Sequence, residues 1–170
     1  MTEAVQRQIF EEWMDQYKNL IFKIVRAYSV SSMDRDDLFQ EISIQVWNSI
    51  PVFRNESAVT TWLYRISLNT AIKWTKKEGR RKEEHEPLRS VHYVLEDNTT
   101  AVDERLSWLY NEISKLDEVD RSIALLLMEG FSYREMSEIL GITESNVGVK
   151  INRIKKHLIN KSKYYENNGI

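Results

Sequence analysis

SYREMSEILGITESNVGVKINRIKKHLINKSK, residues 132–163, carries the strongest structural pattern in this chain. The pattern predicts a helix from Tyr133 to Leu140, a turn at Gly141, and a second, basic helix. Ser132 and Glu135 have the spacing of a capping box at the start of the first helix. Gly141 is the residue type that most often ends a helix in the left-handed conformation. Two helices joined by a short turn that contains glycine are typical of a helix-turn-helix.

The second helix, which Thr143 is placed to cap, has an apolar face and a polar face. Its apolar residues recur every three or four positions and predict one buried stripe, namely Val147, Ile151, Ile154 and Leu158. The remaining positions hold amides, hydroxyls, cations and a valine, which suit base edges, phosphates and thymine methyl groups in a major groove. The candidate DNA contacts are Ser145, Asn146, Gly148, Val149, Lys150, Asn152, Arg153 and Lys156. The alternative is an ordinary solvated basic helix.

Charge is distributed unevenly along the chain. The 170 residues carry a net charge of -2, yet residues 73–82 and residues 150–163 each contain six Lys or Arg. Two basic segments on an otherwise acidic chain favour local contact with nucleic acid.

The sequence contains no cysteine, which excludes disulfides and thiolate metal sites, and its three histidines lack the spacing of a metal site. Because no nucleophile or phosphate-loop motif occurs either, we expect neither an enzyme nor a cofactor.

The first half of the chain predicts three helices. The first covers residues 9–29, the second begins near residues 34–37 and is ended by the proline at position 51, and the third covers about residues 58–77. The second of these leaves acidic and amide side chains for solvent or a partner: Asp37, Gln40, Glu41 and Gln45. The predicted buried stripe of the third is Val59, Leu63, Ile66, Thr70 and Trp74.

A different row on the third helix mixes an aromatic residue, an amide and cations. Such residues stack on unpaired bases and follow phosphates in single-stranded nucleic acid. With the preceding loop, residues 52–57, this row supplies the candidate contacts Arg54, Asn55, Trp62, Arg65, Asn69, Lys73 and Lys76. Core packing is the alternative for Trp62, and surface solubility is the alternative for the cations.

The predicted architecture is all-α, with two small helical domains at residues 1–82 and 104–163. Residues 83–103 break the helical pattern and predict a flexible linker, and residues 164–170 predict a frayed tail. No apolar run approaches the roughly 20 residues of a membrane span. The N-terminus has no signal-peptide core, so we expect a cytoplasmic protein without direct membrane insertion.

Three blocks of sequence form a further pattern. They are DLFQE (37–41) with Trp47, FRNES (53–57) followed by TWLYRISLN (61–69), and Leu116 with Asp120 and Arg121 followed by residues 130–158. In this order they resemble regions 2.2, 2.3–2.4 and 4.2 of the extracytoplasmic-function (ECF) group of sigma-70 family factors, which initiate transcription with bacterial RNA polymerase. Asn55 stands where that family usually has glycine.

The resemblance implies a promoter-specificity factor. As in the family, the face of Asp37, Gln40 and Glu41 would dock on the clamp helices of core RNA polymerase, and the flap region would be a further contact on the polymerase. The first domain would read and melt the minus-10 element, the recognition helix would read minus-35 duplex, and the linker would run near the active-site channel. An anti-sigma protein is a further implied partner, and the free chain would be a monomer.

Two other classes of function compete with this interpretation. A stand-alone helix-turn-helix regulator would explain the second half of the chain, and it would bind a symmetric site as a dimer. It would not explain the aromatic and basic row of the first half. A nucleic-acid-processing enzyme would need a metal or acid–base cluster, and no such cluster stands out.

Overall fold

The structure, a computed structural model, describes residues 1–84 and 101–167. Its described part contains seven α-helices and no strand, which confirms the predicted all-α class. The helices are α1 (Glu3–Tyr28), α2 (Ser32–Ser49), α3 (Val59–Glu84), α4 (Ala101–Ser114), α5 (Glu118–Met128), α6 (Tyr133–Leu140) and α7 (Glu144–Asn167), with a 3-10 turn at Ile50–Val52.

The chain divides into two compact units, Met1–Leu106 and Ser107–Ile170. The helices α3 and α4 reach into the ends of the predicted linker. Residues 85–100, which form most of that linker, lie outside the described residues.

The first unit is a bundle in which α1, α2 and α3 all pack against one another. Its fully buried side chains come from all three helices and include Ile21, Ile24, Leu38, Ile42, Leu63 and Leu68. Burying one such side chain stabilises a fold by about 1.5–3 kcal/mol, so this shared apolar core holds the bundle together.

Two helix starts in this unit differ from the prediction. The first helix begins at Glu3, well before residue 9. The second begins at Ser32, because Ser31 and Asp34 form a capping box that the sequence analysis overlooked. The Asp34 amide donates to the Ser31 hydroxyl over 3.1 Å, and the Ser31 amide donates to the Asp34 carboxylate over 3.2 Å.

The buried stripe predicted for α3 was partly wrong. Leu63 and Thr70 are buried as expected, but Val59, Ile66 and Trp74 are only half-buried. Other buried side chains among residues 59–78 of this helix are Tyr64, Ser67, Leu68 and Ala71. Since α3 packs against both α1 and α2, its buried surface is wider than one stripe and is centred elsewhere.

The second unit contains the helix-turn-helix, in which α7 packs on both α5 and α6. Its core includes Ile123, Leu126, Met136 and Ile151, all fully buried. In the predicted stripe of α7, Val147, Ile151 and Ile154 are buried and Leu158 is half-buried. The helix continues to Asn167, so it covers residues 164–167 of the predicted tail, and residues 168–170 are outside the described part.

The predicted caps of the helix-turn-helix are confirmed. The Ser132 hydroxyl accepts from the Glu135 amide over 3.3 Å, and the Glu135 carboxylate accepts from the Ser132 amide over 2.8 Å. Gly141 ends α6 in the left-handed region, with φ 69°. The Thr143 hydroxyl accepts from the Asn146 amide over 3.2 Å at the start of α7. These bonds satisfy backbone amides at the starts of both helices.

Candidate nucleic-acid interface

The exposed face of α2 presents the acidic and amide side chains that the sequence indicated. Asp37, Gln40 and Glu41 are exposed, and the half-buried Gln45 donates its amide to the Glu41 carboxylate over 3.1 Å. Ile44 lies on the same face, seven residues after Asp37, and is 53% exposed. Ile44 was not among the predicted residues of this face, although its spacing from Asp37 indicates that it lies there.

The loop before α3 is held by aromatic contacts. The ring of Phe53 meets Trp13 edge-on, with 5.3 Å between ring centroids, and lies tilted against Trp62 at 5.5 Å. The indole N–H of Trp62 donates to the Ser49 hydroxyl over 3.2 Å. Trp62 is therefore half-buried and supports the loop. This geometry favours the packing alternative for Trp62 over an open stacking platform.

Arg54 and Asn55 are exposed in this loop. Asn55 has φ 56°, and it is the only residue other than glycine with positive φ in the described part of the chain. Asparagine enters the left-handed region more readily than most residues, so it can take a position where glycine is usual. Beside the loop lies an open cleft of about 230 Å³, lined by Met1, Ile9, Glu12, Trp13, Ile50, Phe53, Asn55 and Val59.

The basic row on α3 is open to solvent. Arg65, Asn69, Lys73 and Lys76 are all exposed and follow one side of the helix. Within the described residues, none of these cations forms an ion pair. An unpaired row of charge is available to a polyanion.

The recognition helix α7 presents most of its predicted contacts outward. Ser145, Asn146, Val149, Asn152, Arg153 and Lys156 are exposed, whereas Gly148 and Lys150 are half-buried. At Gly148 a side-chain carbon would lie 3.4 Å from the ring of Tyr133 on α6, which is ordinary contact distance. An alanine at this position would therefore pack against the ring without displacing it.

Two of the predicted DNA-binding cations are tied to the neighbouring helix. Lys150 lies 2.6 Å from one carboxylate oxygen of Asp120 on α5, and Arg153 donates to the other oxygen. Arg153 also lies 3.7 Å from Asp117. Asp120 itself is only 4% exposed. This contact was not predicted, because the partners are 30 and 33 residues apart in the sequence. Its only sequence signal is an acidic residue on the apolar side of α5.

The electrostatics of this cluster favour its charged form. Burial raises the pKa of Asp120, but the hydrogen bonds and charges of Lys150 and Arg153 outweigh it and hold that pKa below its ordinary value. The same contact with Asp120 raises the pKa of Arg153. At the cap of α6, hydrogen bonds from Ser132 lower the pKa of Glu135.

The described residues contain no group of three or more His, Asp or Glu side chains that could hold a metal ion. Within the same residues, every helix is too short or too polar to cross a membrane. The arrangement instead offers three exposed polar surfaces: the α2 face, the loop with the α3 row, and the outer side of α7.

Comparison with known families gives two matches along the chain. Residues 13–81 match the family model of sigma-70 region 2, and residues 106–158 match that of sigma-70 region 4. The first match contains the α2 face and the α3 row, and the second contains the helix-turn-helix.

Curated relatives match nearly the whole chain. The ECF RNA polymerase sigma-E factor of Haemophilus influenzae is 32% identical, over 95% of this chain and 93% of the relative. The sigma-E factor of Escherichia coli K12 is 30% identical, over 95% of this chain and 92% of the relative.

Two solved structures share the fold. One is the sigma factor RpoE of Bartonella quintana in complex with the anti-sigma factor NepR, with a TM-score of 0.70, 18% identity, and coverage of 92% of this chain and 98% of that chain. The other is CnrH in complex with the cytosolic domain of CnrY, with a TM-score of 0.66, 19% identity, and coverage of 93% and 90%.

Proposed function

The chain belongs to the ECF group of the sigma-70 family, the DNA-binding initiation factors of RNA polymerase, and on this premise we propose a role for each of its three polar surfaces. The α2 face docks on core polymerase, the loop with the α3 row reads and holds the minus-10 element, and α7 reads minus-35 duplex. The proposed functional domains are residues 1–82 and 104–163, joined by the linker at 83–103.

The docking proposal rests on the chemistry of the α2 face. Asp37, Gln40 and Glu41 stay exposed although α2 is packed on its other side by α1 and α3. Carboxylates and amides pair with basic and polar groups, and Ile44 adds an apolar anchor of the kind that interfaces bury at their centre. We assign this face to the clamp helices of core polymerase.

The minus-10 proposal rests on the unpaired cations of α3 and on the loop beside them. Holding a melted strand requires cations that follow its phosphates and a site that accepts an unstacked base. Arg65, Lys73 and Lys76 meet the first requirement. For the second we propose the loop at residues 52–57 and its cleft, with Asn55 at the mouth and Trp62 as the support that keeps the loop in shape.

The minus-35 proposal rests on the exposure of the outer side of α7. Asn152 and Lys156 offer hydrogen-bond donors and charge, and Val149 is 66% exposed, which suits contact with a thymine methyl group. The second helix of a helix-turn-helix enters the major groove in this way.

One observation carries the whole proposal: the two family matches lie in order along the chain, and each contains an exposed polar surface suited to its part of a promoter. A stand-alone regulator is not favoured, because it leaves the region 2 match and the α3 row without a function.

Run-off transcription tests the proposal. Bacterial core RNA polymerase is mixed with this protein and a library of promoter fragments. We expect specific starts only when both components are present, and the selected fragments will define the minus-35 and minus-10 sequences. If no transcript forms and the protein alone protects a symmetric duplex site, the stand-alone regulator is the better explanation.

The partners and location follow from the same proposal. We infer a cytoplasmic location, because core polymerase works there, and a monomeric free protein. We also propose an anti-sigma protein as a partner, since the two similar structures were solved with such a partner or with a cytosolic domain bound. Co-purification from the native host, with and without charge reversal on the α2 face, tests this partner.

A further inference from the structure

Asp120 connects the recognition helix to the helix behind it. Each of its carboxylate oxygens accepts from one cation of α7, Lys150 at 2.6 Å and Arg153 on the other side. The carboxylate is buried, with 6% of its side chain exposed. Asp117, which caps α5 by accepting from the Asp120 amide over 2.9 Å, adds a second negative charge 3.7 Å from Arg153.

The contact with Asp120 leaves Lys150 and Arg153 with different exposure to solvent. The Lys150 side chain is only 19% exposed, and its ammonium group is engaged by the buried carboxylate. The Arg153 side chain remains 61% exposed, so most of its surface still faces solvent. A guanidinium has five N–H donors in a rigid plane, and fixing one edge of it orients the remaining donors.

We propose that Asp120 is a positioning residue that sets the specificity of minus-35 recognition. It neutralises Lys150, which then makes no phosphate contact, and it orients Arg153 toward the DNA. This inference rests on the proposed role of α7 and deepens it by dividing the basic residues of that helix into DNA contacts and internal supports.

The physical reason is that specific and nonspecific binding draw on different properties of the helix. Binding to arbitrary duplex grows with the number of cations free to replace counterions on phosphates. Binding to the correct sequence gains from side chains that are already ordered before contact. Asp120 engages Lys150 and orders Arg153. It therefore weakens binding to arbitrary duplex and favours binding to the correct sequence.

The first experiment compares two lysines of α7 that differ in this respect. Lys150→Met removes the engaged cation, and Lys156→Met removes an exposed cation that has no ion pair among the described residues. Fluorescence anisotropy measures the affinity of each full-length variant for a duplex of arbitrary sequence at several salt concentrations. Losing a phosphate contact lowers the salt slope by about 0.9, and we expect this for Lys156→Met. For Lys150→Met we expect less than half of that change. Equal changes would overturn the proposal.

The second experiment measures specificity in the complete complex. Core polymerase is assembled with wild type or with Asp120→Asn, and its affinity is measured for the selected promoter and for the same fragment with a scrambled minus-35 element. Freeing one or two cations should raise affinity for the scrambled fragment by roughly three- to tenfold. The selected promoter gains the same phosphate contacts but loses the ordered Arg153, so we expect its affinity to stay nearly unchanged and the ratio of the two affinities to fall by about threefold or more. A purely structural role predicts instead that both affinities fall together, and that result contradicts the inference.

The outcomes separate this inference from the proposed function. If wild type shows no dependence on the minus-35 element, the role of α7 fails and the role of Asp120 fails with it. If wild type depends on the element and Asp120→Asn keeps the same ratio, only the role of Asp120 fails. If circular dichroism shows that Asp120→Asn does not fold, the comparison of Lys150→Met with Lys156→Met decides the question alone.

Discussion

Trp62 shows how a single side chain can belong to a predicted binding row and still be held inward. Its position in sequence, three residues before Arg65, puts it on the same side of α3 as the cations. Its ring nevertheless rests on Phe53, and its indole N–H is bonded to Ser49. Periodicity predicts the side of a helix, but only the neighbouring loop determines whether an aromatic ring on that side reaches solvent.

The bond between Trp62 and Ser49 can be isolated by a double-mutant cycle. Trp62→Phe keeps an aromatic ring but loses the indole donor, and Ser49→Ala removes the acceptor together with its bond to the Val46 carbonyl. We expect each single variant to lose about 1 kcal/mol of unfolding free energy. The coupling between them should be about 0.5–1 kcal/mol by urea denaturation. Strictly additive losses would contradict a stabilising bond between the two side chains.

Asn69 provides a second prediction for a single side chain. It is exposed in the middle of the basic row, where its amide is available to a base or a phosphate. Asn69→Ala should reduce the permanganate reactivity of thymines in the melted minus-10 region while duplex binding survives. Asn19→Ala, an exposed asparagine on α1 outside all three surfaces, is the matched control. Unchanged reactivity in Asn69→Ala would remove the minus-10 assignment of the row.

Among the helices, those with a signal at both ends were predicted best. The bounds of α6 were correct because a capping box begins it and a left-handed glycine ends it. The start of α1 was misplaced because Thr2 makes no capping bond with its side chain, so the sequence offers no marker there. The stripe of α3 was partly wrong because one period cannot describe a helix that packs against two partners.

The exposed face of α2 makes a prediction for the element as a whole. Asp37→Arg combined with Glu41→Arg should abolish capture of core polymerase in a pull-down, because it reverses two charges on adjacent turns of one face. The matched control is Glu11→Arg with Asp15→Arg, which reverses two exposed charges at the same spacing on α1. Loss of capture in both variants would indicate a general charge effect. If the Asp37→Arg, Glu41→Arg variant still captured core polymerase, the docking role of the α2 face would be wrong.

For the whole molecule, helical periodicity and composition were enough to predict the all-α class, and the order of three motifs was enough to predict the family. The Asp120 contact was not predictable, because it joins residues about 30 positions apart through the packing of α5 on α7. The α2 face and the α3 row could be predicted as exposed surfaces, since exposure follows from helical spacing. Their binding partners stay predictions until they are measured.

The Asp120 contact also makes the stability of the folded chain sensitive to acid. Its folded pKa lies below the ordinary value, so its contribution is present above about pH 4 and is lost as pH falls through the lowered value. Wild type should therefore be more stable than Asp120→Asn at pH 6, and the difference in stability between them should become smaller toward pH 3. Thermal unfolding followed by circular dichroism across this pH range measures that difference. A gap that does not change with pH would mean that the carboxylate charge contributes nothing.

The left-handed backbone of Asn55 has a consequence for how the loop can evolve. Glycine, asparagine and aspartate enter this conformation most readily, so few other residues can replace Asn55 without backbone strain. An exchange between asparagine and glycine needs two base changes, and both aspartate and serine lie one base from each. Passage through aspartate would place a negative charge beside the DNA phosphates that we propose this loop contacts. Passage through serine would instead strain the left-handed backbone, so either intermediate is expected to weaken the minus-10 contact that we propose for this loop.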